Sequence, residues 1–175
     1  MFTVCRLQDI NMNHRNEILN IIQQGFNRED DMLAGLDNPL VFYIIEDNEI
    51  VAVGFGDTSE RDMIQPLKNK ILYLHTISVR TDKRGKGLST KLVKNIVRKY
   101  KREFAMYLHV RTTKSNPNKA ALKSYEKCGF VILNSVFVDR EDGPNNVMVL
   151  MSQIRSNIFN KKNTKKKKKT RIRNR

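Results

Sequence analysis

The stretch Ile71-Leu72-Tyr73-Leu74-His75-Thr76-Ile77-Ser78-Val79, running on through Arg84-Gly85-Lys86-Gly87-Leu88-Ser89, constrains this chain more than any other. Apolar residues alternate through its first half, which predicts a buried strand over about residues 70–79. Strict alternation would put Ile71, Tyr73, His75, Ile77 and Val79 on one face and Leu72, Leu74, Thr76 and Ser78 on the other. Beyond the glycines, Leu88, Leu92, Val93, Ile96, Val97 and Tyr100 recur at helical spacing, with Lys91, Lys94, Arg98 and Lys101 on the wet side. Strand, basic glycine turn and helix together suit a phosphate. Glycines let the backbone approach an anion, and the first N–H groups of a helix have no intrahelical partner and carry the positive end of its dipole. The turn is expected to hold a pyrophosphate, and the strand before it to present the reacting group.

Two common nucleotide motifs are excluded by spacing. A P-loop places four residues between its first glycine and Gly-Lys-Ser/Thr, and nothing here supplies that. The dinucleotide fingerprint G-x-G-x-x-G lacks its third glycine, because Gly87 is followed by Leu88, Ser89 and Thr90. On this local signal alone, an ordinary strand-to-helix turn with solvated basic side chains fits equally well.

The other elements can be read around this unit. Phe2–Leu7 alternates as a first strand, and Asp9 or Asn11 can cap a helix carrying Ile18, Leu19, Ile21, Ile22 and Phe26. A short helical piece is expected around Met32–Leu36, ended by Asn38-Pro39. Leu40–Glu46 and Ile50–Phe55 form an antiparallel hairpin about Asp47-Asn48, and a polar loop spans Asp57–Asn69. Met106–Thr112 is a strand that pairs in parallel with the 70–79 strand through a right-handed crossover. Asn116-Pro117 opens a helix through Ala120, Ala121, Leu122 and Tyr125, with Gly129 as its left-handed cap. Phe130–Val138 and Asn146–Met151 close the fold.

With 175 residues, one domain is expected, over 1–154. No apolar run is long enough to span a membrane, and the start of the chain lacks the apolar core of a signal peptide. Cys5 and Cys128 are too few for a disulfide framework or a metal site. A soluble protein of a reducing, intracellular compartment, cytoplasmic or nuclear, fits these features, with no metal. The net charge of +15 is concentrated at one end. Residues 155–175 hold 11 of the 33 Lys and Arg and no acid, and the rest carries 22 basic against 18 acidic residues, a net of +4. A self-repelling block with little to bury is expected to be a disordered tail. It would serve attachment to a nucleic acid or other acidic surface, or nuclear import, or simply remain solvated.

The residues also resemble a known family. Val79-x4-Arg84-Gly85-Lys86-Gly87-Leu88-Ser89 looks like the acetyl-CoA loop of the GNAT acetyltransferases, Gln/Arg-x-x-Gly-x-Gly/Ala, with Ser89 in place of the final small residue and Thr81 where many members have proline. Asn118-x-x-Ala121-x-x-x-Tyr125-Glu126-Lys127-Cys128-Gly129-Phe130 is similar to the family's Asn-x-x-Ala-x-x-x-Tyr-x-x-x-Gly-Phe segment. The resemblance covers roughly Phe2–Met151.

It implies the acyl-CoA N-acyltransferase fold: α/β, a mixed central sheet with splayed parallel strands flanked by helices. It further implies an N-acetyltransferase in which acetyl-CoA lies between the two splayed strands and an amine attacks the thioester directly. The cofactor-binding residues so implied are Ile77, Ser78 and Val79 on the strand, Arg84, Gly85, Lys86, Gly87, Leu88 and Ser89 at the pyrophosphate, and Asn118 on the cofactor arm. The oxyanion needs a backbone donor near Ile77. Tyr125 matches the general acid beside the leaving sulfur. A tyrosine titrates near ~10 and a thiol near ~8.5, so a hydrogen bond to developing sulfur charge is easier than full proton transfer.

An alkylammonium acceptor must lose a proton first, and His75 has a suitable pKa for a base, in competition with a water chain; His109 is the weaker candidate. The acceptor side would carry Glu29, Asp30, Asp31, Asp37, Asp139, Glu141 and Asp142, which attract cationic amines or are plain solvated loops. Two alternatives remain: a catalytically weak acetyl-CoA-binding module, and a nucleic-acid-attached protein using the tail. The latter would show steep salt dependence.

Overall fold

The structure, a computed structural model, describes residues 1–26, 39–58, 70–113, 118–137 and 146–153. The expected helix at 32–36, nearly all of the 57–69 loop, the acidic residues Glu29, Asp30, Asp31, Asp37, Asp139, Glu141 and Asp142, and the basic tail from 155 lie outside them.

Seven strands and three α-helices are described: β1 (Phe2–Arg6), α1 (Met12–Phe26), β2 (Leu40–Glu46), β3 (Glu49–Asp57), β4 (Lys70–Val79), α2 (Leu88–Tyr100), β5 (Phe104–Thr113), α3 (Lys119–Glu126), β6 (Val131–Phe137) and β7 (Asn146–Gln153). They follow the sequence-predicted order. The strands form one sheet in the order β1-β2-β3-β4-β5-β7-β6. Only β4 and β5 run parallel; every other neighbour is antiparallel.

Local chemistry explains several boundaries. Asn11 rather than Asp9 caps α1, accepting the His14 N–H at 2.8 Å. Asp47 and Asn48 have φ of 53° and 62°, the left-handed pair that a tight hairpin requires and that Asp and Asn tolerate best after glycine. Gly129, at φ 88°, follows α3 as expected. Helix α3 starts later than expected. Its cap is Asn118, whose side-chain oxygen accepts the Ala121 N–H at 3.2 Å, not Asn116; residues 114–117 are not among those described.

The parallel pair is splayed. Pairing of β4 with β5 runs from Lys70↔Phe104 to Leu74↔Leu108 and goes no further. Beyond that point β4 stays with β3, and β5 stays with β7 as far as Thr113↔Asn146. The two strands therefore part at their carboxyl ends, as the family resemblance implied.

Strict alternation along β4 does not hold. Phe55 pairs with Thr76 and Gly56 with Leu74, so His75 is an extra residue, a bulge. The insertion exchanges the faces. Leu72, Leu74, Ile77 and Val79 all pack with the cluster that includes Leu88, Leu92, Val93 and Ile96 of α2 and Tyr125 of α3. Ser78 faces α1 instead, donating its hydroxyl to the Ile21 carbonyl at 2.8 Å. Ile77 and His75 thus do not share a face, because a single inserted residue resets the period of two.

The core has two layers. Phe42, Ile44, Leu72, Leu92, Ile96 and Phe130 fill the space under α2 and α3. Ile18, Ile21 and Ile22 of α1 pack on Val41, Val53 and Phe55 from the other side. Helix α1 lies very close to β4 at one point, where a Cβ on Gly25 would come 2.3 Å from Ser78 Oγ. Alanine in a helix interior usually gains about 1 kcal/mol over glycine. Here Gly25→Ala would push Ser78 off its buried acceptor, and a net loss of about 1–2 kcal/mol is expected in urea unfolding. A gain in stability would contradict this packing.

Candidate functional site

Where β4 leaves the sheet, Thr81–Lys83 make a 3₁₀ turn and lead into the glycines. Gly85 and Gly87 have φ of 77° and 75°, a region that side-chain-bearing residues enter at a cost of ~1–2 kcal/mol. A Cβ at either position would have nothing within 4 Å. These glycines are therefore required by backbone conformation and not by packing, and they leave open space in front of the turn. Gly87 is the N-cap of α2, with no side-chain hydrogen bond to the helix, and no acidic residue lies in the first turn. Neither a capping side chain nor a carboxylate occupies the positive end of this helix, which suits an external anion. A groove of about 500 Å³ runs from Gly87 along Thr90, Lys91, Lys94, Asn95 and Arg98. Its basic lining has the same sign preference.

The turn is braced from behind. The Arg84 guanidinium donates to the carbonyls of Val79 (3.2 Å) and Gln24 (3.0 Å), and the Thr81 N–H donates to Gln24 Oε1 (3.2 Å). The Arg84 N–H is itself used by Thr81 O at 3.3 Å. Arg84 thus ties the end of α1 to the turn, while Gly85, Lys86 and Gly87 are exposed. The neighbouring Arg80 holds Asp82 and Glu49 at 2.8 Å each, which keeps the Asp82 carboxyl below its usual range.

The first turn of α2 is tied to α3 by hydroxyls. Ser124 Oγ lies 2.9 Å from Ser89 Oγ and 2.8 Å from Thr90 Oγ1. The Cys128 thiol donates to the carbonyl oxygens of Ser124 (3.1 Å) and Thr90 (3.6 Å). Burial pushes the Cys128 thiol up, so it stays a protonated donor. Ser89, at the position where the family motif has Gly or Ala, directs its hydroxyl to Ser124.

Tyr125 is 9 % exposed and packs edge-on against Phe130 at 6.4 Å between ring centres. Burial, with a smaller contribution from Cys128, pushes its phenol up to about 12. The phenol is thus a hydrogen-bond donor at any physiological pH.

His75 lies across the sheet from this cluster. Its ring meets Tyr73 edge-on at 4.6 Å, and its Nε2 is 3.9 Å from Asp57 Oδ2. Tyr73 and Asp57 are cross-strand partners. The sequence did not single them out, since only the β3–β4 register brings them to His75. His109 lies on β5 opposite Leu150, and its side chain is outside those described.

The implied cofactor residues are thus distributed as follows. Ile77 and Val79 lie on the splayed end of β4, on the α2 face. The Ser78 side chain is turned away toward α1. Gly85 to Ser89 form the turn and helix start, and Asn118 caps the helix carrying Tyr125. Among the described residues, no group of three His, Cys, Asp or Glu could hold a metal ion, and no helix is long and apolar enough to cross a membrane.

Comparison with known proteins agrees with this fold. A family model described as acetyltransferase (GNAT) family matches residues 11–130. No curated protein matches by sequence. Among solved structures, the chain is similar to the ribosomal-protein-S18-alanine N-acetyltransferase of Escherichia coli, with 18 % identity, a TM-score of 0.63, and coverage of 87 % of this chain and 92 % of that one. It is similar to a Bacillus subtilis acetyltransferase in complex with CoA (16 %, 0.61, 87 % and 97 %). It is also similar to an aminoglycoside 6'-N-acetyltransferase complexed with coenzyme A (14 %, 0.64, 87 % and 98 %). At these identities the likeness is one of fold.

Proposed function

The chain belongs to the acetyltransferase (GNAT) family, and from that premise we propose that it transfers the acetyl group of acetyl-CoA to an amine. The observation that carries this reading is the uncapped start of α2 behind two left-handed glycines, set beside the splayed ends of β4 and β5. In this reading the N–H groups of Gly85, Lys86, Gly87, Leu88 and Ser89 hold the pyrophosphate, with Arg84 bracing the turn from behind. The backbone of Ile77–Val79 and Asn118 orient the pantetheine arm.

The amine nitrogen attacks the thioester carbonyl carbon. Its proton passes to a base, and the carbon–sulfur bond breaks with its electron pair on sulfur. His75, whose Nε2 lies 3.9 Å from Asp57 Oδ2, is the side-chain candidate for the base, in competition with a water chain. Tyr125 donates a hydrogen bond to the departing sulfur. With its phenol pushed up to about 12 against a thiol near ~8.5, it stabilises the thiolate without giving up its proton. The acceptor class is an amine, either a small molecule or a protein lysine or N-terminus.

The test is acetyl-CoA binding by calorimetry, followed by free-thiol release over a panel of polyamines, aminoglycosides, N-terminal peptides and lysine peptides. Saturable binding with thiol release and an acetylated product is the expected result. A folded protein that binds no acetyl-CoA would overturn the proposal.

A further inference from the structure

We infer that Ser124 is a positioning residue that fixes the catalytic helix α3 to the phosphate-binding start of α2, and so sets Tyr125 against the sulfur of the acyl donor. The inference rests on the reading of Tyr125 given above.

Its basis is the cluster of hydroxyls at the junction of the two helices. Ser124 precedes Tyr125 and bridges Ser89 and Thr90, the second and third residues of α2. These are the residues whose N–H groups point out of the helix end. A hydroxyl has one proton and two acceptor sites, so a single Ser124 Oγ can serve both neighbours. All three hydroxyls are half-buried, where such bonds are harder to replace with water. The Cys128 thiol binds the same two segments through the carbonyls of Thr90 and Ser124.

Helix α3 has only eight residues, Lys119–Glu126, too few to hold its own place by helix formation. Its orientation is therefore set by what it touches: the core, through Ala121, Leu122 and Tyr125, and the start of α2, through this hydroxyl and thiol contact. The placement also accounts for Ser89. Its side chain points at Ser124, so a serine fits where a glycine or alanine would otherwise keep the phosphate face clear.

The consequence is specific. The diphosphate would be held by backbone N–H groups that survive loss of Ser124, whereas the approach of Tyr125 to the sulfur would not survive it. The test compares CoA with desulfo-CoA, which has the same diphosphate and arm but no sulfur. By calorimetry the wild type is expected to bind CoA about three- to tenfold tighter, the range of one net hydrogen bond. Tyr125→Phe should bring the ratio to about one, and so should Ser124→Ala, while desulfo-CoA affinity stays within about twofold. Ser124→Thr, which keeps the hydroxyl, should restore the wild-type ratio.

A Ser124→Ala protein that keeps the ratio, or loses affinity for both ligands equally, would overturn the inference. A preserved ratio in Tyr125→Phe would instead show that Tyr125 does not meet the sulfur, and both readings would fall. If Ser124→Ala does not fold, Ser89→Ala with Thr90→Val removes the same two bonds from α2 and must lower the ratio in the same way.

Discussion

Replacing Gly87 with tryptophan is expected to weaken acetyl-CoA binding by at least about 100-fold while leaving the chain folded. The two effects separate because of where this glycine sits. At φ 75° any side chain strains the backbone, at a cost of roughly 1–2 kcal/mol. The space around its Cβ position is empty to 4 Å, so no core contact is overpacked. A fall of several degrees in melting temperature is the expected structural cost.

In the proposed function, binding uses that same empty space. A phosphate held by the N–H groups of Leu88 and Ser89 must come within hydrogen-bond distance of the backbone, and an indole beside Gly87 would occupy the approach. Gly25 makes the contrast, since its substitution should cost stability through the Ser78 contact. Calorimetry and thermal melting on the same Gly87→Trp sample decide the matter. A folded variant that binds acetyl-CoA within a factor of about three of wild type would remove the pyrophosphate from this turn.

Tyr125→Phe is the second substitution with a large expected effect. A hydrogen bond to developing charge contributes about 1.5–3 kcal/mol, so kcat should fall roughly 10- to 100-fold. The KM for acetyl-CoA should stay within about twofold, because most of the ligand is held elsewhere. Steady-state kinetics with the best acceptor of the panel measures both.

The same residue makes an alkaline prediction. Its folded-state value of about 12 lies above the ordinary tyrosine value of 10.0. Below pH 10 the phenol is neutral in both the folded and unfolded chains, and the stability from its burial is fully present. Between pH 10 and 12 the unfolded chain loses this proton while the folded chain keeps it, so stability falls as pH rises. Two units correspond to about 2–3 kcal/mol. Tyr43, Tyr100 and Cys128 are also raised by burial and add to the decline. Urea unfolding from pH 8 to 11.5 should therefore show a smaller decline for Tyr125→Phe than for wild type. Equal declines would place Tyr125 in contact with solvent.

The elements that carry the site were legible from residues close together in the chain. The alternation of Ile71–Val79 placed β4 at residues 70–79, the bounds observed, and the apolar stripe from Leu88 to Tyr100 placed α2 with equal success. Gly85, Gly87 and Gly129 were expected as turn and cap residues, and all three have positive φ. Each of these features is decided within a few residues, by the pleat of a strand, the pitch of a helix or the absence of a Cβ.

Partners distant in sequence were not legible. The bulge at His75 depends on how β4 registers against β3, and one inserted residue moved Ile77 and Val79 to the α2 face and Ser78 to the α1 face. Asp57 reaches His75 only through that register. Ser89 meets Ser124 across 35 positions, and Arg84 meets Gln24 across 60. The sequence by itself determined the strand, the glycine turn, the three α-helices described, to within a few residues, and the family. The tertiary structure alone decided which hydroxyl faces which, which side of the sheet each β4 residue lines, and how α3 is held. Backbone periodicity is a local property of the chain, whereas side-chain pairing is settled only when separate elements pack and each buried polar group finds its partner.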